Sequence, residues 1–218
     1  MPSVGRPLAA GTLEPDALGA KLLAHEREPG EPHVVLGPRE RQLLAEMPWP
    51  HRRSEWLHGR RVAKQLLFDG FGLDPARTEV LPAPSEAPEV WLDGERVKDL
   101  VINISHTKRY AVAAASAFPV GVDVCDDEDG RRLPRIARRV MSDGEAEACG
   151  AFTDDGTQAA VWALKEAVLK LRIGGVFSPG ARSVRVESLS PARVANEDTR
   201  VELFRLPHGA VALAVLAR

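Results

Sequence analysis

Two charged side chains on an apolar segment mark the place where this sequence could do chemistry. Residues 161–170 read VWALKEAVLK, with apolar residues at helical spacing. Glu166 and Lys170 are four residues apart and therefore share one face of the predicted helix. A carboxylate can accept a proton or bind a cation, and an ammonium can pair with a phosphate. Such pairs also occur on exposed faces, where they only support their own helix.

A second carboxylate lies in a predicted buried strand. Residues 120–125 read VGVDVC, and this alternation turns Gly121, Asp123 and Cys125 to the face opposite the valines. A carboxylate in so apolar a strand needs a cation, a metal ion or backbone donors as its partner. Asp123 is therefore a candidate metal ligand, and Glu166 is a candidate second carboxylate for the same ion.

A further predicted strand ends in polar residues. Residues 100–107 read LVINISHT, an apolar run that enters a turn at Ser105 and His106. A histidine at the end of a strand is more often structural than catalytic, so this segment alone leaves its role open.

A basic helix is predicted over residues 51–68, which contain the sequence RRSEWLHGR. Arg53, Arg60 and Lys64 lie on this helix. Clustered cations can bind a phosphate, with arginine suited to bidentate contact. The same residues could equally form a solvated face.

Together these segments resemble the 4′-phosphopantetheinyl transferase superfamily, in particular its monomeric branch, which activates carrier proteins of peptide synthetases and polyketide synthases. The resemblance rests on three blocks in the family's order: NISH at 103–106, GVD at 121–123 and WALKEAVLK at 162–170. The weaker block RRSEWLHGR at 52–60 precedes them. The four blocks cover roughly residues 50–180.

The resemblance implies a transferase that moves the 4′-phosphopantetheine group of coenzyme A to a serine of an apo carrier protein and releases 3′,5′-ADP. It implies Mg²⁺, with Mn²⁺ as a second candidate, held by Asp123 and Glu166. Such ions prefer oxygen ligands and commonly use one or two carboxylates plus substrate phosphates. Glu166 would also orient or deprotonate the attacking hydroxyl. The implied catalytic residues are Glu166, Asp123 and Lys170.

The resemblance also implies a set of residues for coenzyme A. Lys165 and Lys170 would pair with its phosphates, His106 would contact a phosphate, and the basic helix would hold the 3′-phosphate. The implied contact residues are Arg53, Arg60, Lys64, Ser105, His106, Lys165 and Lys170.

Cys125 departs from the family's pattern. Most members of the monomeric branch carry a second acid two residues after the aspartate, and a neutral thiol is a poor ligand for a hard cation. Asp126 faces the other side of a regular strand and could replace it only through a bulge. Three interpretations stay open: an active transferase, a weakened relative that binds coenzyme A or a carrier protein as a scaffold or regulator, and an unrelated α+β binding protein.

Partner choice is partly legible in the basic segment 131–140, which reads RRLPRIARRV. One face of this predicted helix is apolar and can pack, while the arginines stay in solvent. An acidic carrier protein could dock there through charge pairs. Nucleic acid is the weaker alternative, because nearby acidic residues would repel phosphate. The docking arginines would be Arg131, Arg135, Arg138 and Arg139.

The predicted fold class is α+β. By the resemblance, the chain is a pseudo-twofold pair of similar α/β halves, residues 1–118 and 119–218, with the active site between them. The C-terminal half carries both metal carboxylates. Residues 1–30 are rich in Pro, Gly, Ala and Glu, which predicts weak order at the start of the chain.

Bulk properties exclude several classes of protein. The 218 residues include 29 basic and 31 acidic side chains, and the resulting formal net charge of −2 does not favour binding to nucleic acid or an anionic membrane. No apolar run is long enough to span a bilayer, and the first 20 residues lack a signal-peptide pattern. Two cysteines form no disulfide framework. These features predict a location in the cytoplasm, and the resemblance to the monomeric branch implies a monomer.

Overall fold

The computed structural model describes residues 5–83, 87–150, 153–172 and 180–217. These residues form helices and several sheets, which confirms the predicted α+β class. The chain divides into two compact units. We call residues 10–118 the N-terminal unit, and residues 119–218 together with 1–9 the C-terminal unit.

The N-terminal unit consists of a four-stranded sheet, a long helix and a small three-stranded sheet. The elements before residue 118 are β1 (Arg6–Pro7), β2 (Glu14–Ala17), β3 (Ala20–Glu26), α1 (Pro38–Ala45), α2 (Pro50–Phe71), β4 (Thr78–Leu81), β5 (Glu89–Leu92), β6 (Glu95–Arg96), β7 (Val101–His106) and β8 (Tyr110–Ser116). The larger sheet has the order β2-β3-β8-β7, and β4, β5 and β6 form the smaller one. Helix α2 packs on β8, β3 and β7.

The C-terminal unit also combines a four-stranded sheet with a long helix and a smaller sheet. Its elements are β9 (Val120–Asp126), α3 (Asp127–Gly130), α4 (Leu133–Val140), α5 (Glu145–Ala148), α6 (Asp155–Leu171), a 3-10 turn (Ala181–Ser183), β10 (Val186–Leu189), β11 (Ala192–Val194), β12 (Thr199–Leu206) and β13 (Gly209–Leu216). The main sheet has the order β1-β12-β13-β9, and helix α6 packs on β9 and β13.

The two units thus share one order of elements. In each, a strand is followed by short helical segments, of which the structure describes one in the N-terminal unit and three in the C-terminal unit, and then by a long helix, a hairpin and two further strands. The antiparallel sets β3-β8-β7 and β9-β13-β12 have matching neighbours. The sequence shows no corresponding repeat, because the fold needs only matching apolar patterns and not matching residues. The pseudo-twofold axis stays a prediction.

The beginning of the chain differs from the sequence-based expectation. Residues 6–26 carry β1, β2 and β3, although their composition predicts weak order. Strand β3 is largely buried and pairs with β8, and β1 pairs in parallel with β12. Within the described ranges, no helix combines the length and apolarity needed to cross a bilayer.

Gly121 sets the distance between α6 and its sheet. A Cβ atom at position 121 would lie 2.0 Å from the carbonyl oxygen of Ala167 and 2.7 Å from the amide nitrogen of Leu171. Only glycine leaves room for the helix backbone there. On the neighbouring strand, Ala214 lies opposite Gly121 and is also fully buried. This close approach brings α6 beside Asp123, which faces the same side of β9.

We predict that Gly121→Ala destabilises the protein by about 1–3 kcal/mol, because the added methyl group would force α6 away from β9. Urea unfolding monitored by circular dichroism measures the change. Gly59→Ala on α2 is the matched control, since a Cβ there meets only a methyl group of Ile104 at 3.3 Å. That variant should differ from the parent by less than about 1 kcal/mol, as the helical preference of alanine offsets the contact. Equal stability of Gly121→Ala and the parent would contradict this account of the packing.

Candidate functional site

Three predicted site residues lie together in the C-terminal unit: Asp123 on β9, and Glu166 and Lys170 on α6. The Nζ atom of Lys170 donates to Oδ1 of Asp123 at 2.8 Å and to the carbonyl oxygen of Val122 at 3.3 Å. Asp123 is 5% exposed, whereas Glu166 and Lys170 are half-buried. The cluster therefore lies where the core meets solvent, with one carboxylate on the strand and two charged groups on the helix.

The Glu166 carboxyl group is tuned by its surroundings. Burial, together with the nearby Asp123 carboxylate, raises its pKa to about 7, and Lys170 opposes the shift. A carboxyl group with a pKa near neutrality can both accept and release a proton at physiological pH. The repulsion from Asp123 shows that these two carboxylates share one electrostatic environment.

This pair of carboxylates fits a divalent cation. Hard oxygen donors suit Mg²⁺, and an ion between them would relieve their mutual repulsion. Asp123 and Glu166 are the residues that would hold it. Among the residues that the structure describes, no group of three or more His, Cys, Asp or Glu side chains forms a larger donor set. Any further ligands would come from substrate oxygens or water.

Cys125 lies on the same strand face as Asp123 but belongs to the core. Its side chain is 4% exposed and packs in the apolar cluster beneath α6. Burial, together with the Asp123 charge, raises the thiol pKa well above its usual range. The thiol donates to the carbonyl oxygen of Asp126 at 3.4 Å. A neutral thiol in this setting is a packing group and a poor magnesium ligand.

Lys165 lies in the core of the C-terminal unit, whereas a phosphate contact requires an accessible ammonium group. Its side chain is fully buried, and Nζ lies 2.7 Å from Oε1 of the equally buried Glu145. The ammonium also donates to the carbonyl oxygens of Val184 and, at 3.5 Å, Ala181. Because its donors point into the core, we remove Lys165 from the set proposed to bind coenzyme A phosphates.

Lys64 and Arg60 share a buried partner in the N-terminal unit. Nζ of Lys64 lies 2.7 Å from Oε2 of Glu40 and donates to the carbonyl oxygen of Thr78 at 2.6 Å. Nε of Arg60 lies 3.9 Å from the other Glu40 oxygen, and its guanidinium stacks on the Trp56 ring at 4.5 Å. Burial lowers the pKa of Arg60 to about 10. Lys64 therefore also leaves the phosphate set, and Arg60 serves the same buried carboxylate.

The remaining predicted contacts in the N-terminal unit differ in exposure. Ser105 is buried and His106 is exposed at the end of β7. Arg53 is half-buried on α2, with Nε 3.1 Å from Oε1 of Glu31 and a second donor on the carbonyl oxygen of Leu44 at 3.0 Å. These three residues remain candidates for coenzyme A.

Helix α4 has the predicted amphipathic arrangement. Leu133 and Val140 are buried, and Ile136 is partly buried against the core of the C-terminal unit. All five arginines of segment 131–140 are exposed. Among described residues, Arg131 and Arg132 pair with carboxylates, whereas the other three make no ion pair. Those three are Arg135, Arg138 and Arg139.

Sequence reasoning missed Glu145 and Glu40, the two buried partners of the lysines. Oε2 of Glu145 accepts hydrogen bonds from the backbone and hydroxyl of Ser142, and Oε2 of Glu40 accepts one from the amide of Gly37. Ser142 and Glu145 have the S-x-x-E spacing of a capping box. That signal identifies a helix start, but it does not predict a carboxylate that is buried and paired with a distant lysine.

Comparison with protein families places these residues in context. A family model described as the 4′-phosphopantetheinyl transferase superfamily matches residues 119–212. The matched range includes Asp123, Glu166 and Lys170, and it confirms the resemblance at the level of the superfamily. A comparison with curated proteins returned no match.

We predict that Glu166 makes the stability of the metal-free protein fall as pH rises. Its pKa is about 7 in the folded protein against an ordinary value of 4.5, so the folded state holds the extra proton between these values. Stability from this group is complete below about pH 4.5 and is lost by about pH 7. The free energy of unfolding of Glu166→Gln, relative to that of the parent, should therefore be roughly 1–2 kcal/mol larger at about pH 8 than at about pH 5, after allowance for partial solvent screening.

Urea unfolding with EDTA at the two pH values measures this difference. Glu187→Gln, at an exposed position on β10, is the control and should follow the parent at both. If Glu166→Gln also follows the parent, the Glu166 carboxyl group titrates as an ordinary surface acid.

Proposed function

We propose that this chain, whose residues 119–212 match a family model described as the 4′-phosphopantetheinyl transferase superfamily, transfers 4′-phosphopantetheine from coenzyme A to a serine of an apo carrier protein. A general phosphopantetheinyl transferase activity follows from the family match. The observation that carries the specific proposal is the cluster of Asp123, Glu166 and Lys170, in which Lys170 Nζ lies 2.8 Å from Oδ1 of Asp123.

The chemistry asks for a proton acceptor and for positive charge at a pyrophosphate. In the proposed reaction, the serine oxygen bonds to the β-phosphorus of coenzyme A, the bond to the bridging oxygen breaks, and 3′,5′-ADP leaves. Glu166 would orient the hydroxyl group or take its proton. Its pKa of about 7 is that of the metal-free protein, and a bound cation would lower it. Mg²⁺ bound by Asp123 and Glu166 would supply charge neutralisation at the phosphates.

Lys170 is suited to hold a phosphate without leaving Asp123. An ammonium group has three donors. Two of them point to Asp123 and to the carbonyl oxygen of Val122, which leaves one for a phosphate oxygen. In the N-terminal unit, Arg53, Ser105 and His106 are the proposed coenzyme A contacts.

We expect Asp123→Asn and Glu166→Gln to reduce transfer below about one hundredth of the parent rate, because each removes a carboxylate proposed to hold Mg²⁺ at the phosphates. Incubation with apo carrier, coenzyme A and Mg²⁺, read by mass spectrometry of the carrier, measures transfer. Arg200→Ala, at an exposed position on β12, is the control and should retain parental transfer. Parental rates in either carboxylate variant would remove that residue from the site.

We expect Lys170→Ala to weaken coenzyme A binding by about 1–3 kcal/mol, the usual effect of losing a charge-assisted hydrogen bond. Calorimetric titration of coenzyme A into variant and parent measures the change. An unchanged dissociation constant would return Lys170 to the role of a partner for Asp123 alone.

The partner is proposed to be an acidic carrier that docks on α4. Reversing Arg135 and Arg139 to Glu should slow association with the carrier while coenzyme A affinity stays parental, and added salt should slow the parent in the same way. Reversing Arg193 and Arg200 to Glu changes the net charge equally at exposed positions on β11 and β12. If both double variants modify the carrier at one rate, docking takes place elsewhere.

A weakened relative that binds coenzyme A or a carrier without transfer is the second candidate. The position of Cys125 in the core favours it, since the described strand β9 offers no second carboxylate on the face of Asp123. Calorimetric coenzyme A binding without any mass shift of the carrier would identify this case. The monomeric branch, peptide-synthetase or polyketide-synthase carriers, and a cytoplasmic location remain predictions from the sequence.

A further inference from the structure

We propose that Lys165 is a positioning residue, whose buried ammonium fixes the rotation of α6 and thereby aims Glu166 and Lys170 at Asp123. This inference rests on the proposed function for its kinetic consequences. Its structural consequence is independent of any activity.

The ammonium of Lys165 connects three elements to α6. It pairs with Glu145 of α5 at 2.7 Å and donates to the carbonyl oxygens of Ala181 and Val184 at the 3-10 turn. The Oε1 atom of Glu145 in turn accepts the backbone amide of Val186 on β10 at 2.8 Å. Both charged side chains have no exposed surface. Because neither charge can reach water, the pair holds only when all these groups keep their places.

The contacts of the Lys165 ammonium, which we call the Lys165 tether, and the close packing at Gly121 hold α6 from two sides. Successive helical residues are about 100° apart, so Lys165 lies well away from Ala167 and Leu171 around the axis. The backbone of α6 at Ala167 and Leu171 occupies the space that a side chain at position 121 of β9 would need. Glu166, at about 100° from Lys165, falls between the two contacts. With contacts on both sides, α6 cannot rotate about its axis. The direction of the face between them, which carries Glu166 and Lys170, is therefore fixed.

The same device recurs in the N-terminal unit, which shows that it is a built feature of the fold. There, Lys64 of the long helix pairs with the buried Glu40 of the short helix and donates to the carbonyl oxygen of Thr78 at the start of β4. Glu40 in turn accepts the backbone amide of Val80 on that strand. The equivalent pairs are Lys165 and Lys64, Glu145 and Glu40, Val184 and Thr78, and Val186 and Val80.

The two copies differ in the residue next to the lysine. Lys64 precedes Gln65, which is exposed and bonded to Asp69 on its own helix. Lys165 precedes Glu166, a half-buried carboxylate beside Asp123. Both tethers should stabilise their units, but only the one at Lys165 should set the geometry of the proposed chemistry.

Steady-state kinetics of Lys165→Met, with Lys64→Met as the matched control, separate these roles. Both variants should lower the melting temperature. At a temperature where circular dichroism shows both fully folded, Lys165→Met should lose at least about tenfold in kcat with its KM for coenzyme A within about twofold of the parent, as small misplacements of reacting groups are costly. Lys64→Met should retain kcat within about threefold.

A change at the partner of the lysine gives a further readout. Glu145→Gln removes the charge that pairs with Lys165 and turns an amide donor towards the backbone N–H of Ser142, so it should lower the melting temperature and reduce kcat as Lys165→Met does. If Lys165→Met fails to fold, Lys165→Met combined with Glu145→Leu replaces it, because that double variant leaves no unpaired buried charge. Parental kcat in the folded Lys165 variant, or an equal loss of kcat in Lys64→Met, would overturn the proposal.

Crystal structures of the parent and of the same Lys165 variant test the geometry without activity. The separation of Lys170 Nζ from Asp123 Oδ1 should lengthen from 2.8 Å to beyond hydrogen-bond reach, about 3.5 Å. An unchanged separation overturns the proposal whatever the kinetics show. If the parent itself does not transfer phosphopantetheine, the proposed function fails and this distance alone decides the role of Lys165.

Discussion

The close packing of helix α6 on strand β9 is the constraint on which the candidate site depends. Gly121 permits it, since any side chain there would meet the helix backbone at Ala167. The contact brings a carboxylate from the strand and two charged groups from the helix to one border of the core. The Gly-hydrophobic-Asp block and the Lys-Glu block are therefore two halves of one packing arrangement, and their chemistry follows from it.

The charges of the C-terminal unit fall into two classes with different physical roles. Lys165 and Glu145 are fully buried and saturated by each other and by backbone groups, which makes them structural. Asp123, Glu166 and Lys170 lie at the border of the core, where burial and the Asp123 carboxylate raise the pKa of Glu166 to about 7. A divalent cation would relieve the repulsion between the two carboxylates, so these groups can respond to a ligand.

Local patterns brought the proposed site residues to attention but not the buried partners that support them. The two-residue period of β9 identifies Asp123, and the four-residue spacing on α6 pairs Glu166 with Lys170. Lys165 and Lys64 were misplaced because their buried partners lie some 20 residues earlier in the chain, where no short-range pattern links them. Strand β1 was missed for the same reason, since its parallel partner β12 is almost 200 residues away.

The central claim is that Asp123 and Glu166 form one site that accepts a divalent cation together with the pyrophosphate of coenzyme A. Calorimetric titration of Mg²⁺ into the protein, with and without coenzyme A, tests it most directly. Two protein carboxylates without further protein ligands should bind Mg²⁺ weakly alone and more tightly with coenzyme A, and Asp123→Asn should abolish this linkage. Tight Mg²⁺ binding that needs no coenzyme A and survives Asp123→Asn would contradict the account.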